Sequence, residues 1–159
     1  MKNWQPIWML ALSIAVCFAA AAAGAIVTGS SVNDWYPALR KPSWNPPAWI
    51  FGPVWTILYL MMAIAAWLIW RRRGFRGGAA ALKLFALQLL LNAAWSPLFF
   101  GLHSPSAAFL DIVLLWAAIL ATLVSLWRIA PIAGVMLVPY WLWVSFAAAL
   151  NFVIWRLNR

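Results

Sequence analysis

Trp55 and Tyr59 stand four residues apart in one apolar run, and Gln88, Asn92, Trp95, Ser96 and Phe99 stand at offsets of 4, 7, 8 and 11 in another. Each set falls on one stripe of an α-helix. A third run carries Tyr140, Trp143, Ala147 and Asn151 on one face, and a fourth carries Asp111, Leu115, Ala118, Thr122 and Ser125. Polar side chains inside apolar runs are costly and turn toward a bundle interior, so the stripes can converge on a single aromatic cavity with polar edges. Trp55 and Trp143 share their stripes with polar groups and are expected in the wall of that cavity. Gln88, Asn92 and Asn151 fit two roles, ligand contact or interhelical hydrogen bonding worth about 0.6 kcal/mol each. Asp111 fits an interhelical anchor or a charge near a helix N-terminus, and equally a proton relay or a ligand contact.

Conventional catalytic constellations are missing. Asp34 and Asp111 are the only acids and lie in different elements, so there is no paired carboxylate site. The single histidine, His103, sits in a short connection and reads as a loop residue, and no Cys/His cluster has metal-ligand spacing. No Gly-rich phosphate loop occurs, and a proton-coupled pump would need more ionisable groups inside its spans. Cys17, the one cysteine, has no intrachain partner.

The elements that must position these stripes are membrane spans. Of 159 residues, 67% are hydrophobic and 8% charged, against about 25% charged in a soluble domain. Five runs reach the roughly 20 residues needed to cross a bilayer: 7–27, 48–70, 80–101, 106–128 and 132–155. They are rich in Ala and Leu and do not alternate, which excludes spanning strands. The reading is an all-α integral membrane protein, one domain over 1–159, with five transmembrane helices. The small residues after the first run sit at cleavage spacing, but the run exceeds a usual signal core. Ala19, Ala20, Ala23 and Gly24 are better read as a face for close helix approach. The net charge of +9 lies in loops and helix ends, which points to the lipid bilayer and its anionic headgroups rather than to nucleic acid. Lys2, Arg71, Arg72, Arg73, Arg76, Lys83 and Arg128 collect on one side, with 71–78 read as a loop. Arg40, Lys41, Arg156 and Arg159 collect on the other, which places the N-terminus inside. Inner and outer bacterial membranes are not distinguished.

Between the first two spans, 28–47 forms a connection whose core is WYPALRKPSWNPP, 35–47. Prolines fix φ there and the aromatic rings suit a membrane interface. The stretch reads as a structured lid over the cavity.

These motifs resemble the tryptophan-rich sensory protein/translocator protein family, TspO/MBR, which includes the peripheral-type benzodiazepine receptor, and this chain is similar to its bacterial type. The resemblance rests on Trp35-Tyr36, Leu39, Lys41-Pro42, Trp44 and Pro46-Pro47 in the connection, and on Pro53, Trp55 and Tyr59. It continues through Gln88-Leu89, Leu91-Asn92, Trp95, Pro97, Phe99-Phe100-Gly101, Asp111, Pro139-Tyr140, Trp143, Phe146-Ala147, Leu150-Asn151 and Trp155-Arg156. It implies a five-helix bundle, usually a homodimer, with a ligand cavity capped by the first loop. No cofactor is required. The implied ligands are porphyrins (protoporphyrin IX, haem), sterols, and synthetic benzodiazepine-type and isoquinoline carboxamide compounds. Trp55, Asn92, Trp95 and Trp143 would line the cavity, with Tyr36 and Pro46 contributing from the lid and Tyr59, Ser96, Tyr140 and Ala147 completing the ligand-binding set. The family's sterol motif falls on Leu150, Phe152 and Arg156, where Phe152 replaces a tyrosine and removes its hydroxyl. A porphyrin would stack on indole faces and its propionates would reach Arg40 or Lys41. The resemblance implies a receptor or transporter-like protein in tetrapyrrole handling or stress sensing. Its alternatives are light-dependent oxidative degradation of bound protoporphyrin, with Trp55 and Trp143 as oxidisable indoles, and a structural, partner-recruiting role.

Overall fold

The computed structural model describes residues 5–159, the side chains of Gln5 and Ser30 excepted. Lys2, counted above for orientation, lies outside the described residues. Helix α1 is Gln5–Ser31, α2 is the single turn Trp35–Ala38, and α3 is Ala48–Gly77. Helix α4 is Ala79–Ser96 and runs into a π-helical turn, Pro97–Gly101; α5 is Pro105–Ile129 and α6 is Pro131–Leu157. No strand occurs among the described residues. Five of these helices are long and apolar enough to cross a membrane: Pro6–Gly29, Ala48–Gly77, Ala79–Gly101, Pro105–Ile129 and Pro131–Leu157. Around the bundle, α1 packs on α3, α3 on α6, α6 on α5, α5 on α4, and α4 closes back on α1.

Two expected boundaries move, each for a local reason. The first span continues four residues past Val27 because its polar end finds partners on α4 and on the π turn that follows it. Thr28 Oγ1 donates to the Gly24 carbonyl at 2.9 Å and lies 3.3 Å from Ser96 Oγ, and Ser31 Oγ donates to the Phe100 carbonyl at 2.9 Å. The connection expected from 28 therefore begins only after Ser31. The arginine-rich 71–78 stretch is not a loop: α3 carries on through Gly77, with a kink at Gly74. Arginine is a good helix former, and Gly78 alone joins α3 to α4. The third span ends at Gly101 as expected, but in a π turn, its Leu102 N–H reaching the Pro97 carbonyl at 2.8 Å.

The core lies in three layers. The middle layer joins Cys17, Tyr59, Met62, Phe85, Leu89, Ile112, Leu115, Ile119, Tyr140 and Val144. Below it, Ala65, Ile69, Ala81, Leu126, Ala133 and Leu137 close the end that carries the arginines. Above it, Phe99, Phe100, Ala108, Leu150 and Ile154 close the end under the first connection. In the lower layer a Cβ on Gly134 would sit 2.8 Å from Trp127 Cβ and 2.9 Å from its Cα, so glycine sets how closely α6 approaches α5. Gly134→Val will separate these helices and cost about 1–3 kcal/mol, read as a lower unfolding midpoint in detergent. An unchanged midpoint would show that the contact relaxes freely.

Candidate ligand-binding site

At mid-bundle the amide of Asn92 on α4 bridges two tyrosines. Its Oδ1 accepts from the Tyr59 hydroxyl of α3, and its Nδ2 donates to the Tyr140 hydroxyl of α6 at 2.9 Å. All three side chains are buried. One turn further along α4, Trp95 Nε1 donates to Asn151 Oδ1 at 3.0 Å, and Asn151 Nδ2 donates to the Pro105 carbonyl at 2.8 Å, tying α4, α6 and the start of α5. Both asparagines are thus interhelical braces, as one of the two sequence readings had it. Gln88 is fully buried beside Met62, its Oε1 without a hydrogen-bond partner.

Half-buried aromatic rings surround this bridge. Trp55 lies 5.6 Å from the Tyr59 ring and 6.1 Å from the Tyr140 ring, edge-on to the latter. Trp95 stacks on Phe99 at 4.9 Å. Trp143 meets Phe51 edge-on at 5.8 Å and Phe146 at 5.6 Å, while its Nε1 is buried with no hydrogen-bond partner. Ala147 packs alongside. Phe51 and Phe146 were missed from sequence, although each is visible there: Phe51 is four residues before Trp55 and Phe146 three after Trp143, on the same helical faces.

The structure separates other expected members from this group. Ser96 faces α1: its Oγ would lie 3.2 Å from a Cβ on Gly24, so that glycine admits it. Leu150 is buried beside Phe99 and Phe100, whereas Phe152 is exposed and packs with Phe109 and Trp155 on the outer face. Arg156, one turn on from Phe152, is also exposed, so of the three sterol-motif positions Leu150 alone is turned into the bundle. Of the α5 stripe, Asp111, Leu115, Ala118 and Thr122 are buried. Thr122 bonds back to its own helix at the Ala118 carbonyl, and Asp111 Oδ2 has no hydrogen-bond partner.

The connection after α1 is braced internally and against the bundle. Tyr36 donates from its hydroxyl to Asn45 Oδ1 at 3.1 Å, and Asn45 Nδ2 donates to the Pro46 carbonyl at 3.2 Å. Burial pushes the Tyr36 phenol above its usual range, partly offset by the Asn45 bond, so it remains a donor. The Tyr36 ring rests on Phe100 at 5.7 Å and Phe99 at 6.3 Å. Trp35 stacks on His103 at 4.5 Å, and His103 Nε2 is 3.2 Å from Ser31 Oγ. Trp44 packs edge-on against Phe146 at 5.7 Å, and Phe146 in turn touches Trp143, so Trp44 links the connection to Trp143 as Tyr36 links it through Phe99 to Trp95. Asn158 at the end of α6 clamps the Arg40 backbone, accepting from its N–H and donating to its carbonyl, both at 2.9 Å.

Lys41 has a different role from the one its charge suggests. Its Nζ donates to the carbonyls of Tyr36 at 2.7 Å, Leu39 at 2.9 Å and Pro37 at 3.2 Å, and lies 4.7 Å from the centre of the Tyr36 ring. An ammonium has three donors, and all three are used inside the connection. Lys41→Met will therefore loosen this segment by about 1–2 kcal/mol, seen as roughly tenfold faster amide exchange across 36–45. Exchange unchanged there would mean that the aromatic contacts alone hold it.

Five apolar helices closed around a Tyr–Asn–Tyr bridge and a group of half-buried indoles define a multi-pass membrane protein with an aromatic, amide-braced interior. The TspO/MBR family profile matches residues 13–156, and the chain belongs to that family. It is 46% identical over 158 residues to "Tryptophan-rich protein TspO" of Chlorobaculum tepidum, covering 97% of this chain and 98% of that one. It is 38% identical to "Tryptophan-rich sensory protein" of Cereibacter sphaeroides, covering 95% and 92%. It is 40% identical to the human "Translocator protein", covering 79% and 75%.

Proposed function

We propose that the protein is a membrane receptor of sensory or transport type that holds a porphyrin against the indoles of Trp55, Trp95 and Trp143, beneath the 35–47 connection. The names of its relatives, sensory protein and translocator protein, support the receptor or sensor part of this reading. The observation that carries the ligand part is the Trp143 indole N–H, buried and unpartnered beside the Phe51 and Phe146 rings. A buried donor without a partner is costly, and a carbonyl or carboxylate on a flat ligand would satisfy it while the macrocycle stacks on the rings. The same features suit isoquinoline carboxamide and benzodiazepine-type compounds, which are flat and carry carbonyl acceptors. With Lys41 occupied, Arg40 is the cation beside the connection left for a propionate, its backbone already held by Asn158. Arg40→Gln will weaken protoporphyrin IX severalfold and leave a neutral isoquinoline carboxamide unchanged; equal losses would remove Arg40 from the site. Sterols have less support, because Leu150 and Phe152 lie on different faces.

A second reading, light-driven oxidation of bound protoporphyrin, is favoured by the Trp55 ring lying against two tyrosines, since phenols beside an indole can replace an electron it loses. Illumination of the complex in air separates the two. Pigment loss that needs Trp55 and Trp143 supports photochemistry, and stable pigment in a saturable complex leaves a receptor. A protein that binds no porphyrin saturably leaves a structural, partner-recruiting role.

A further inference from the structure

At the end of the bundle opposite the 35–47 connection the chain presents Arg71, Arg72, Arg73, Arg76, Lys83 and Arg128, all exposed. The ends of α3 and α5 meet there: Arg72 Nη1 donates to the Ile129 carbonyl at 3.1 Å. The chain has two acids. Asp34 precedes α2 at the opposite end and Asp111 is buried within α5. The six cations therefore have no carboxylate of this chain beside them, and folding brings like charges together. An anion from outside would relieve that repulsion.

Two further features indicate which anion. Gly74 takes φ 63° and ψ −174° inside α3, a left-handed φ that glycine accepts without strain. The turn carries Phe75 back beside Trp70, ring centres 6.2 Å apart, yet leaves Phe75 62% exposed. A large ring set among arginines, next to the tryptophan that ends the apolar run, suits the boundary between headgroups and hydrocarbon. Arg71 lies over the Trp67 ring at 5.1 Å, and Arg72 is held on the Ile129 carbonyl. Among the described residues, the side chains of Arg73, Arg76 and Arg128 form no hydrogen bond or ion pair.

We propose that Arg73, Arg76 and Arg128, with Phe75 as apolar anchor, form a site for the headgroup of an anionic phospholipid. A phosphodiester tethered to acyl chains uses both halves of the arrangement. A soluble phosphate or an acidic peptide would use the arginines and leave Phe75 without a role.

The test is lipid retention by the full-length protein in neutral detergent, with phosphatidylglycerol and phosphatidylcholine as probes and thermal unfolding as the folding control. Phosphatidylglycerol binds at least tenfold more tightly than phosphatidylcholine. The pair Arg73→Gln with Arg76→Gln loses about tenfold or more of that affinity, since each surface cation contributes severalfold. Arg73→Lys with Arg76→Lys retains most of it, and Phe75→Ser lowers it severalfold. The opposite-end pair Arg156→Gln with Arg159→Gln leaves it unchanged. Equal binding of the two lipids overturns the proposal, as does an equal loss in the opposite-end pair, which would mean diffuse charge. Inorganic phosphate or a poly-glutamate peptide competing fully and independently of Phe75 also overturns it, and assigns the patch to soluble anions or an acidic partner.

Discussion

Asn92→Leu will cost about 2 kcal/mol of bundle stability, more than either Tyr59→Phe or Tyr140→Phe alone. The side chain it removes satisfies two buried hydroxyls on two different helices, one through its carbonyl oxygen and one through its amide nitrogen. Hydrogen bonds between membrane helices average about 0.6 kcal/mol and reach about 1.7. Stranding a buried polar group costs about 1–3 kcal/mol, whereas removing both partners together is nearly neutral. The decisive comparison is therefore non-additive. Adding Tyr59→Phe and Tyr140→Phe to Asn92→Leu should recover stability, because no phenol is then left unpaired. Midpoints of thermal unfolding in one detergent check this, and a triple variant weaker than Asn92→Leu would mean that the bridge is incidental to packing. Asn92→Leu should also weaken porphyrin binding, since it frees the two phenols that fix the Trp55 ring.

The second large effect concerns the indoles. An aromatic pair adds about 0.5–1.5 kcal/mol beyond the area it buries, so Trp55→Ala and Trp143→Ala should each lower porphyrin affinity by about tenfold, at 1.4 kcal/mol per tenfold. The double variant should lose about a hundredfold if the two rings contact the ligand independently. Trp143→Phe keeps a stacking surface and removes only the buried, unpartnered N–H. Its loss should be smaller for a porphyrin and fall chiefly on ligands that present a single carbonyl. Trp127→Phe, an exposed ring far from this group, serves as the control. Equal losses in Trp127→Phe and Trp143→Ala would mean that the porphyrin partitions into detergent or onto the outer surface rather than between the helices.

Much of this architecture is legible in the chain because a bilayer constrains it severely. Spans of about 20 apolar residues and the rule that polar groups turn inward place Gln88, Asn92, Tyr140 and Asn151 in the interior, where they are. A stripe gives direction around one helix but not which neighbour stands there. Ser96 shares its stripe with Asn92 yet meets α1, because Gly24 leaves room on that side. The brace from Asn151 to the Pro105 carbonyl joins residues 46 apart and has no local signal. Lys41 reads as a free cation in the sequence; only the path of the backbone brings three carbonyls onto its ammonium. The helical extension through the arginines was hidden for the opposite reason. Glycines at 74, 77 and 78 look like a loop, but Gly74 absorbs the bend and lets the helix resume.

The proposed function requires a porphyrin among the indoles at mid-bundle. Titration of the purified protein with protoporphyrin IX, followed by tryptophan fluorescence and by the porphyrin's own absorbance, tests this most directly when wild type, Trp55→Ala and Trp143→Ala are run side by side. The expected result is saturable quenching at micromolar porphyrin in the wild type, reversed by an isoquinoline carboxamide, with the curve moved about tenfold to weaker binding in each variant. Quenching that rises without saturation and is the same in all three proteins would contradict it.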